Sequence, residues 1–224
     1  MLVIRDKLSI IMTSPSPIWQ PKAIIFDLLT ALLDSWSLWD ACTTSIAAAE
    51  GRLWRARYLE LTFDTGAYVP YEQLVHKAAK DVGLPDSAPR TLLENRDKLQ
   101  PWPEVAHVLE QLKFQGYKLG VVTNCSQHLG TIAAGIVGSF DSVVTAEESG
   151  FYKPARQAYQ AILAAMGVQT QDALFVAGSA GDVEGATNAG MKVVWHNKIG
   201  LPRQGQSVPL KEATSLYNAL LDFM

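Results

Sequence analysis

Short apolar, largely β-branched runs recur along the chain: Ala23-Ile24-Ile25-Phe26, Leu119-Gly120-Val121-Val122, Ser142-Val143-Val144, Leu174-Phe175-Val176 and Lys192-Val193-Val194-Trp195. Runs this short, without polar alternation, predict buried strands. Between the last four, apolar residues fall at helical spacing, as at Tyr159, Ile162, Leu163 and Met166, and Gly138, Gly167 and Gly190 mark helix ends. Strand and helix in alternation predict an α/β fold, a Rossmann-like parallel sheet with helices on both faces.

The first and second runs lie about 90 residues apart, far more than one crossover helix needs. Apolar spacing there is helical, at Trp36 and Trp39, from Leu53-Trp54 to Leu61, from Leu74 to Val82 and from Leu92 to Leu99. The pattern predicts an inserted all-helical cap over residues 35–103, with an α/β core domain made of residues 21–34 and 104–224. Cap motion that excludes water would hinge near Leu33 to Ser35 and Gln100 to Pro103. Residues 1–20 read as a poorly ordered N-terminal extension, in which Arg5, Asp6 and Lys7 break the apolar patches and Ser14-Pro15-Ser16-Pro17 follows. Met12 is a second candidate start.

A chain of 224 residues suits one core domain carrying an inserted lobe. Its 48% hydrophobic and 18% charged residues exclude a disordered chain and a charged helical rod. With 19 basic against 22 acidic residues, a net charge of −3 and no basic block, a small-molecule partner is expected rather than nucleic acid. Cys42 and Cys125 are too few for a disulfide framework or a cysteine-rich zinc site, which fits a reducing, cytoplasmic setting. No window approaches the roughly 20 apolar residues that cross a bilayer, so no membrane partner is expected. His76, His107, His128 and His196 lack metal-ligand spacing, and neither a metal nor another cofactor is expected.

In an open parallel sheet, ligands bind beyond the carboxyl ends of the strands. Asp27 follows the first run, Thr123-Asn124 the second, Lys153-Pro154 the third, and Gly178-Ser179 with Asp182 the fourth. A carboxylate, a hydroxyl with an amide, an ammonium and a second carboxylate thus surround one cleft. The segments Phe26-Asp27-Leu28-Leu29-Thr30-Ala31, Val122-Thr123-Asn124, Tyr152-Lys153-Pro154 and Gly178-Ser179-Ala180-Gly181-Asp182 resemble, in order and spacing, the four motifs of the haloacid dehalogenase-like superfamily. The resemblance covers residues 22 to about 200. It implies that Asp27 attacks the substrate and forms a covalent aspartyl intermediate, which water hydrolyses.

Phosphatases of that superfamily carry a second aspartate two positions after the nucleophile as general acid, and further acidic residues in the fourth motif for magnesium. Here those positions hold Leu29 and Gly178. Losing general acid catalysis alone costs roughly 10²–10⁴ in rate. Magnesium would keep Asp27, a backbone carbonyl and Asp182, a thin oxygen set. Displacement at a saturated carbon needs neither acid nor metal when the leaving group departs without a proton. Halide does so, and so does the already protonated ring nitrogen of a strained cyclic ammonium. The chain resembles most the metal-free 2-haloacid dehalogenases and L-azetidine-2-carboxylate hydrolases. The activity this implies is cleavage of the bond between carbon 2 and its leaving group in a small 2-substituted carboxylic acid, with both substrate classes open. The alternatives are a magnesium-dependent phosphatase of the same superfamily and a catalytically silent binding or interaction protein.

In this reading Lys153 stabilises the Asp27 carboxylate by charge. Thr123 and Ser179 orient the anions by hydrogen bonds, and Asp182 positions or deprotonates the water. Backbone amides near Leu28, Leu29 and Asn124 would hold the substrate carboxylate, and Asn124 would face the leaving group. The segment Leu53-Trp54-Arg55-Ala56-Arg57-Tyr58-Leu59-Glu60 resembles the Trp-Arg pair whose arginine helps hold the departing halide in 2-haloacid dehalogenases, which implies that role for Arg55. Those enzymes carry tyrosine where this chain has Leu29, and serine, asparagine and tryptophan where it has Ala177, Ser179 and Gly181. The pocket is thereby altered, and Trp36 and Trp39 could instead face a substrate cation. The resemblance also allows a homodimer through apolar cap helices. Each residue has a plain structural alternative as well. Asp27, Thr123, Asn124 and Asp182 could be caps, Lys153 a solvated loop residue, Arg55 part of a surface salt bridge beside Arg52 and Arg57, and the two tryptophans core.

Overall fold

The structure, a computed structural model, describes residues 19–43 and 49–224. The expectations for residues 1–18, Met12 among them, lie outside the described residues. The chain opens with β1 (Ala23–Phe26) and then runs through α1 (Ser35–Ala41), α2 (Ala49–Thr65), α3 (Tyr71–Asp81) and α4 (Ser87–Glu94) before α5 (Val105–Phe114) and β2 (Lys118–Thr123). It continues as α6 (Gln127–Val137), β3 (Ser142–Thr145), α7 (Ala146–Ser149), α8 (Arg156–Met166), β4 (Ala173–Ala177), α9 (Ala180–Asn188), β5 (Lys192–His196), β6 (Lys211–Ala213) and α10 (Leu216–Leu220).

The six strands form one parallel sheet in the order β3-β2-β1-β4-β5-β6. β1 lies inside the sheet, and its residues alternate between two cores. Ile24 and Phe26 join a cluster with α5, α6, α10 and the helices that follow β1; Ala23 and Ile25 join one with α8 and α9. Burial on both faces is why this strand reads as an unbroken apolar run. Because β2 flanks β1 on one side and β4 on the other, the connections leave in opposite directions and a crevice opens at their carboxyl ends.

Between β1 and α5 the described residues form helices α1 to α4, with an antiparallel bridge from Ala67 to Phe151, and the two connections of this segment run side by side. Leu33 and Pro101 form an antiparallel bridge, Asp34 N–H donates to the Gln100 carbonyl at 2.8 Å, and Trp102 N–H donates to the Leu32 carbonyl at 3.0 Å. Asp34 also caps α1, accepting from Ser37 N–H at 3.0 Å. The insertion shares one apolar cluster with the sheet side, from Trp54, Tyr58 and Leu74 through to Leu28 and Leu129.

Three features differ from the sequence expectation. The helical pattern from Leu92 to Leu99 is broken: α4 stops at Glu94, where the Asn95 amide turns back to donate to the Thr91 carbonyl at 2.7 Å, and a 3₁₀ turn follows over Arg96–Lys98. β6 has no apolar pattern, being the short, partly exposed Lys-Glu-Ala that covers the sheet edge beside β5. α5, α7 and α10 were likewise without a distinct signal of their own. Among the described residues, no helix is long and apolar enough to cross a membrane.

Candidate active site

The ends of β1, β2 and β4 and the loop after α7 converge on one buried cluster. Asp27 directly follows β1, its N–H donating to the Val176 carbonyl of β4 at 3.0 Å. Its Oδ2 accepts from Thr30 N–H at 2.8 Å, Thr30 Oγ1 at 2.6 Å and Ala31 N–H at 3.2 Å. Among the described residues its Oδ1 accepts only from Lys153 Nζ, at 2.7 Å. The same ammonium lies 3.1 Å from Asp182 Oδ1 and 3.2 Å from Oδ2, and Ser179 Oγ donates to Asp182 Oδ2 at 3.1 Å. Asp27, Lys153 and Asp182 are 5%, 1% and 3% exposed, so these charges act with little screening by solvent.

Two carboxylates share one ammonium, and their acidities separate accordingly. Burial alone would raise the pKa of Asp27, but the Lys153 charge and the hydrogen bonds from Lys153 and Thr30 outweigh it and hold the carboxyl below its ordinary value. Burial works against the Lys153 ammonium too, yet Asp182 and Asp27 push its pKa up and keep it charged. Asp182 is pushed up to about 6, chiefly by burial and further by the Asp27 charge, with Lys153 acting in the opposite direction. One acid is thus a committed anion and the other is poised to exchange a proton near neutrality.

The sequence-predicted residues fall in different places. Lys153 is not a solvated lysine; Asn124 clamps its backbone from both sides, Nδ2 donating to the Lys153 carbonyl at 2.9 Å and Oδ1 accepting from its N–H at 2.7 Å. The Asn124 side chain is therefore spent on holding Lys153. Asp182 is not a helix cap: Ser179 caps α9, accepting from Asp182 N–H at 3.4 Å, and Asp182 stands in the first turn. Likewise Ser126, not Thr123 or Asn124, caps α6. Thr123 is buried, but the contact of its hydroxyl is with Cys125 Sγ at 3.8 Å rather than with either carboxylate. Leu28 and Leu29 are buried beside Asp27, and among the described residues no acceptor meets the backbone N–H of Leu28, Leu29 or Asn124.

Arg55 is 2% exposed, whereas its neighbours Arg52 and Arg57 form surface ion pairs with Asp40, Glu60 and Asp81. Its guanidinium carbon lies 5.8 Å from the Trp36 ring, 5.1 Å from Trp39 and 5.2 Å from Tyr58. Among the described residues no carboxylate pairs with it, and its Nε has no partner. Trp36 and Trp39 are core residues that do face a cation, and that cation is Arg55. Tyr58, one helical turn on, donates to the Asn124 carbonyl at 2.6 Å and so fastens α2 to the end of β2.

Sequence reasoning passed over Thr30, whose spacing from Asp27 is that of an acidic cap and its turn, and Phe63. An added Cβ at Gly181 would meet the Phe63 ring at 2.2 Å, so this aromatic side chain from α2 fills the space beside the fourth-strand loop. A cavity of about 100 Å³ opens next to it, lined by Trp36, Leu59, Phe63, Ser179 and Gly181 among others. At Gly178 an added Cβ would lie 2.3 Å from both Ala31 N and Thr30 Oγ1, so no side chain fits where the loop after β4 packs on the loop after β1.

These residues do not fit a magnesium ion. Magnesium demands near-octahedral oxygen ligands, but Lys153 and the Thr30–Ala31 turn occupy the two Asp27 oxygens, Lys153 faces Asp182, and position 178 has no room for a carboxylate. Among the described residues no group of three acidic, histidine or cysteine side chains could hold a metal ion.

Residues 24–196 match the model of the haloacid dehalogenase-like hydrolases. The chain is 32% identical over 213 residues to an (S)-2-haloacid dehalogenase of Pseudomonas sp. (strain YL), covering 87% of this chain and 91% of that protein. It is 29% identical over 195 residues to haloacetate dehalogenase H-2 of Moraxella sp. (strain B), covering 80% and 87%. A glyceraldehyde 3-phosphate phosphatase of Methanothermobacter thermautotrophicus is 38% identical over a shorter stretch of 103 residues, 44% of this chain and 46% of that protein. The crystal structure of the L-2-haloacid dehalogenase RSc1362 superimposes with a TM-score of 0.79 at 27% identity, covering 92% of this chain and 99% of that one. With a six-stranded parallel sheet, a helical insertion after β1 and a match spanning most of its length, the chain belongs to the haloacid dehalogenase-like hydrolase family.

Proposed function

We propose that this hydrolase cleaves the bond between carbon 2 and its leaving group in a small 2-substituted carboxylic acid, without metal, through an aspartyl ester on Asp27. The observation that carries the reading is the unequal treatment of the two Asp27 oxygens. Oδ2 is anchored by three donors, while Oδ1 is met, among the described residues, by Lys153 alone and keeps a lone pair for attack. Phosphoryl transfer with magnesium would need those oxygens for the metal, and it would need an acid where Leu29 stands. The free N–H groups of Leu28, Leu29 and Asn124 suit the substrate carboxylate.

Water then attacks the ester carbonyl, with Asp182, pushed up to about 6, taking the proton and Ser179 orienting it. Of the two substrate classes, halide is favoured. The Arg55 guanidinium already stands against Trp36 and Trp39, where a substrate ammonium would have to compete with it, and offers a buried cation for a departing anion. The cavity beside Ser179 suits a substrate of few heavy atoms. Residues 35–103 act as a cap domain that hinges on the paired Leu33 and Pro101 stretches to admit it.

The test is a panel of L-2-chloropropionate, L-azetidine-2-carboxylate and a chromogenic phosphate ester, each with chelator and with magnesium. Chelator-resistant chloride release is expected. Turnover of the phosphate alone, and only with magnesium, would reverse the reading, and inertness toward all three would favour a silent binding protein. A single turnover in ¹⁸O-water should leave the first product unlabelled and place the label in Asp27.

A further inference from the structure

Asp27 Oδ2 depends on the loop that follows β1, and that loop is itself held from outside. Its inner face presents Thr30 N–H and Ala31 N–H to the carboxylate. Its outer face presents two successive carbonyls to side chains from distant parts of the chain. The Thr30 carbonyl, in the same peptide unit as the Ala31 N–H, accepts from Trp102 Nε1 at 3.2 Å. The Ala31 carbonyl lies 2.7 Å from His196 Nδ1 at the end of β5. A carbonyl only accepts, so Nδ1 carries the proton; among the described residues His196 Nε2 has no hydrogen-bond partner, and it stands 3.7 Å from Glu104 Oε1.

Trp102 is on the return connection of the insertion. Its own N–H donates to the Leu32 carbonyl at 3.0 Å, beside the Leu33–Pro101 bridge, and Lys198 Nζ lies 5.4 Å above its ring. One residue therefore touches both the connection that would carry cap motion and the peptide that aims at Asp27. We infer that Trp102 is a positioning residue for Asp27, acting through the Thr30–Ala31 peptide and linking the return connection of the insertion to the nucleophile. The inference rests on Asp27 being that nucleophile. Donation to the Thr30 carbonyl fixes the plane of the peptide and polarises its N–H. The Ala31 bond to Oδ2, at 3.2 Å the longest of the three, is the one that such support governs most.

The test replaces Trp102 by β-(3-benzothienyl)alanine, which keeps the bicyclic shape but has sulfur in place of the N–H, with Trp102→Phe as a second variant. Two readouts are taken on the full chain: kcat and KM for chloride release from L-2-chloropropionate, and hydrogen exchange of the Ala31 amide by NMR. The benzothienyl variant should lose about threefold to tenfold in kcat, with KM changed by less than about twofold. Ala31 exchange should quicken, while the Asp34 and Trp102 amides, paired across the connection, stay as they are. Unchanged Ala31 exchange, or quickened exchange with unchanged kcat, overturns the inference. If the unaltered protein releases no chloride, the proposed activity fails by itself and the Ala31 exchange still decides whether Trp102 holds the loop.

Discussion

Replacing Lys153 by methionine isolates the electrostatics of the site. The methionine keeps most of the buried stem but removes the ammonium that stands 2.7 Å from Asp27 Oδ1 and 3.1 Å from Asp182 Oδ1. Two carboxylates then remain, 5% and 3% exposed, without the cation between them. Removing one partner from a buried ion pair costs about 3–5 kcal/mol, because an uncompensated charge stays behind. For a chain of this size that is a fall in Tm of roughly 6–20 °C. The cost also depends on pH with a defined sign. In the variant both carboxyls have folded pKa values above their unfolded ones, so their contribution is fully present below the unfolded value and is lost as pH rises through the folded value. In the unaltered protein Asp27 behaves oppositely, its lowered pKa giving stability above the ordinary carboxylate range that is lost on acidification. The gap between the two proteins should therefore be widest near about pH 7.5 and narrow toward about pH 4.5, as measured by urea unfolding followed by circular dichroism. A gap below about 1 kcal/mol at the higher pH, or one that does not narrow on acidification, would refute the buried triad as described.

Other substitutions separate stability from turnover. Gly178→Ala forces a methyl to within 2.3 Å of Ala31 N, and this overpacking should cost about 1–3 kcal/mol in thermal or denaturant unfolding while shifting the Asp27 loop and lowering kcat. Arg55→Met exchanges a buried guanidinium lacking an anionic partner for an apolar side chain; stability should stay within about 2 kcal/mol, while chloride release from L-2-chloropropionate falls by about tenfold or more. With Asp182 pushed up to about 6, hydrolysis of the ester should slow as pH falls below that value. Asp182→Asn should abolish that acid limb and leave the ester on Asp27 to be seen by mass spectrometry of the intact protein.

Much of the fold was legible because its signals are local. A strand buried on both faces must be apolar at nearly every position, so β1 and β4 appear as uninterrupted runs, whereas the edge strand β3 is only partly buried, and a separation of about 90 residues after β1 announces the insertion. Chemistry placed shortly after such runs is legible for the same reason, since parallel strands bring their carboxyl ends to one edge, although α7 stands between β3 and Lys153. Asp27, Lys153, Ser179 and Asp182 therefore stand out together in the sequence. The edge strand β6 carries no such signal because a partly exposed three-residue strand needs no apolar pattern; pairing with β5 defines it.

What the tertiary structure decided is which partner each polar group meets. Three arginines lie within six residues on α2, and only packing against Trp36, Trp39 and Tyr58 separates the buried Arg55 from Arg52 and Arg57 on the surface. Thr30 rather than Thr123 reaches Asp27, and Asn124 turns to the Lys153 backbone, because hydrogen bonds depend on distances of a few tenths of an ångström that no residue spacing encodes. Gly178 reads in the sequence only as a missing acid; the want of room for a Cβ there appears only when two loops from different strands come together.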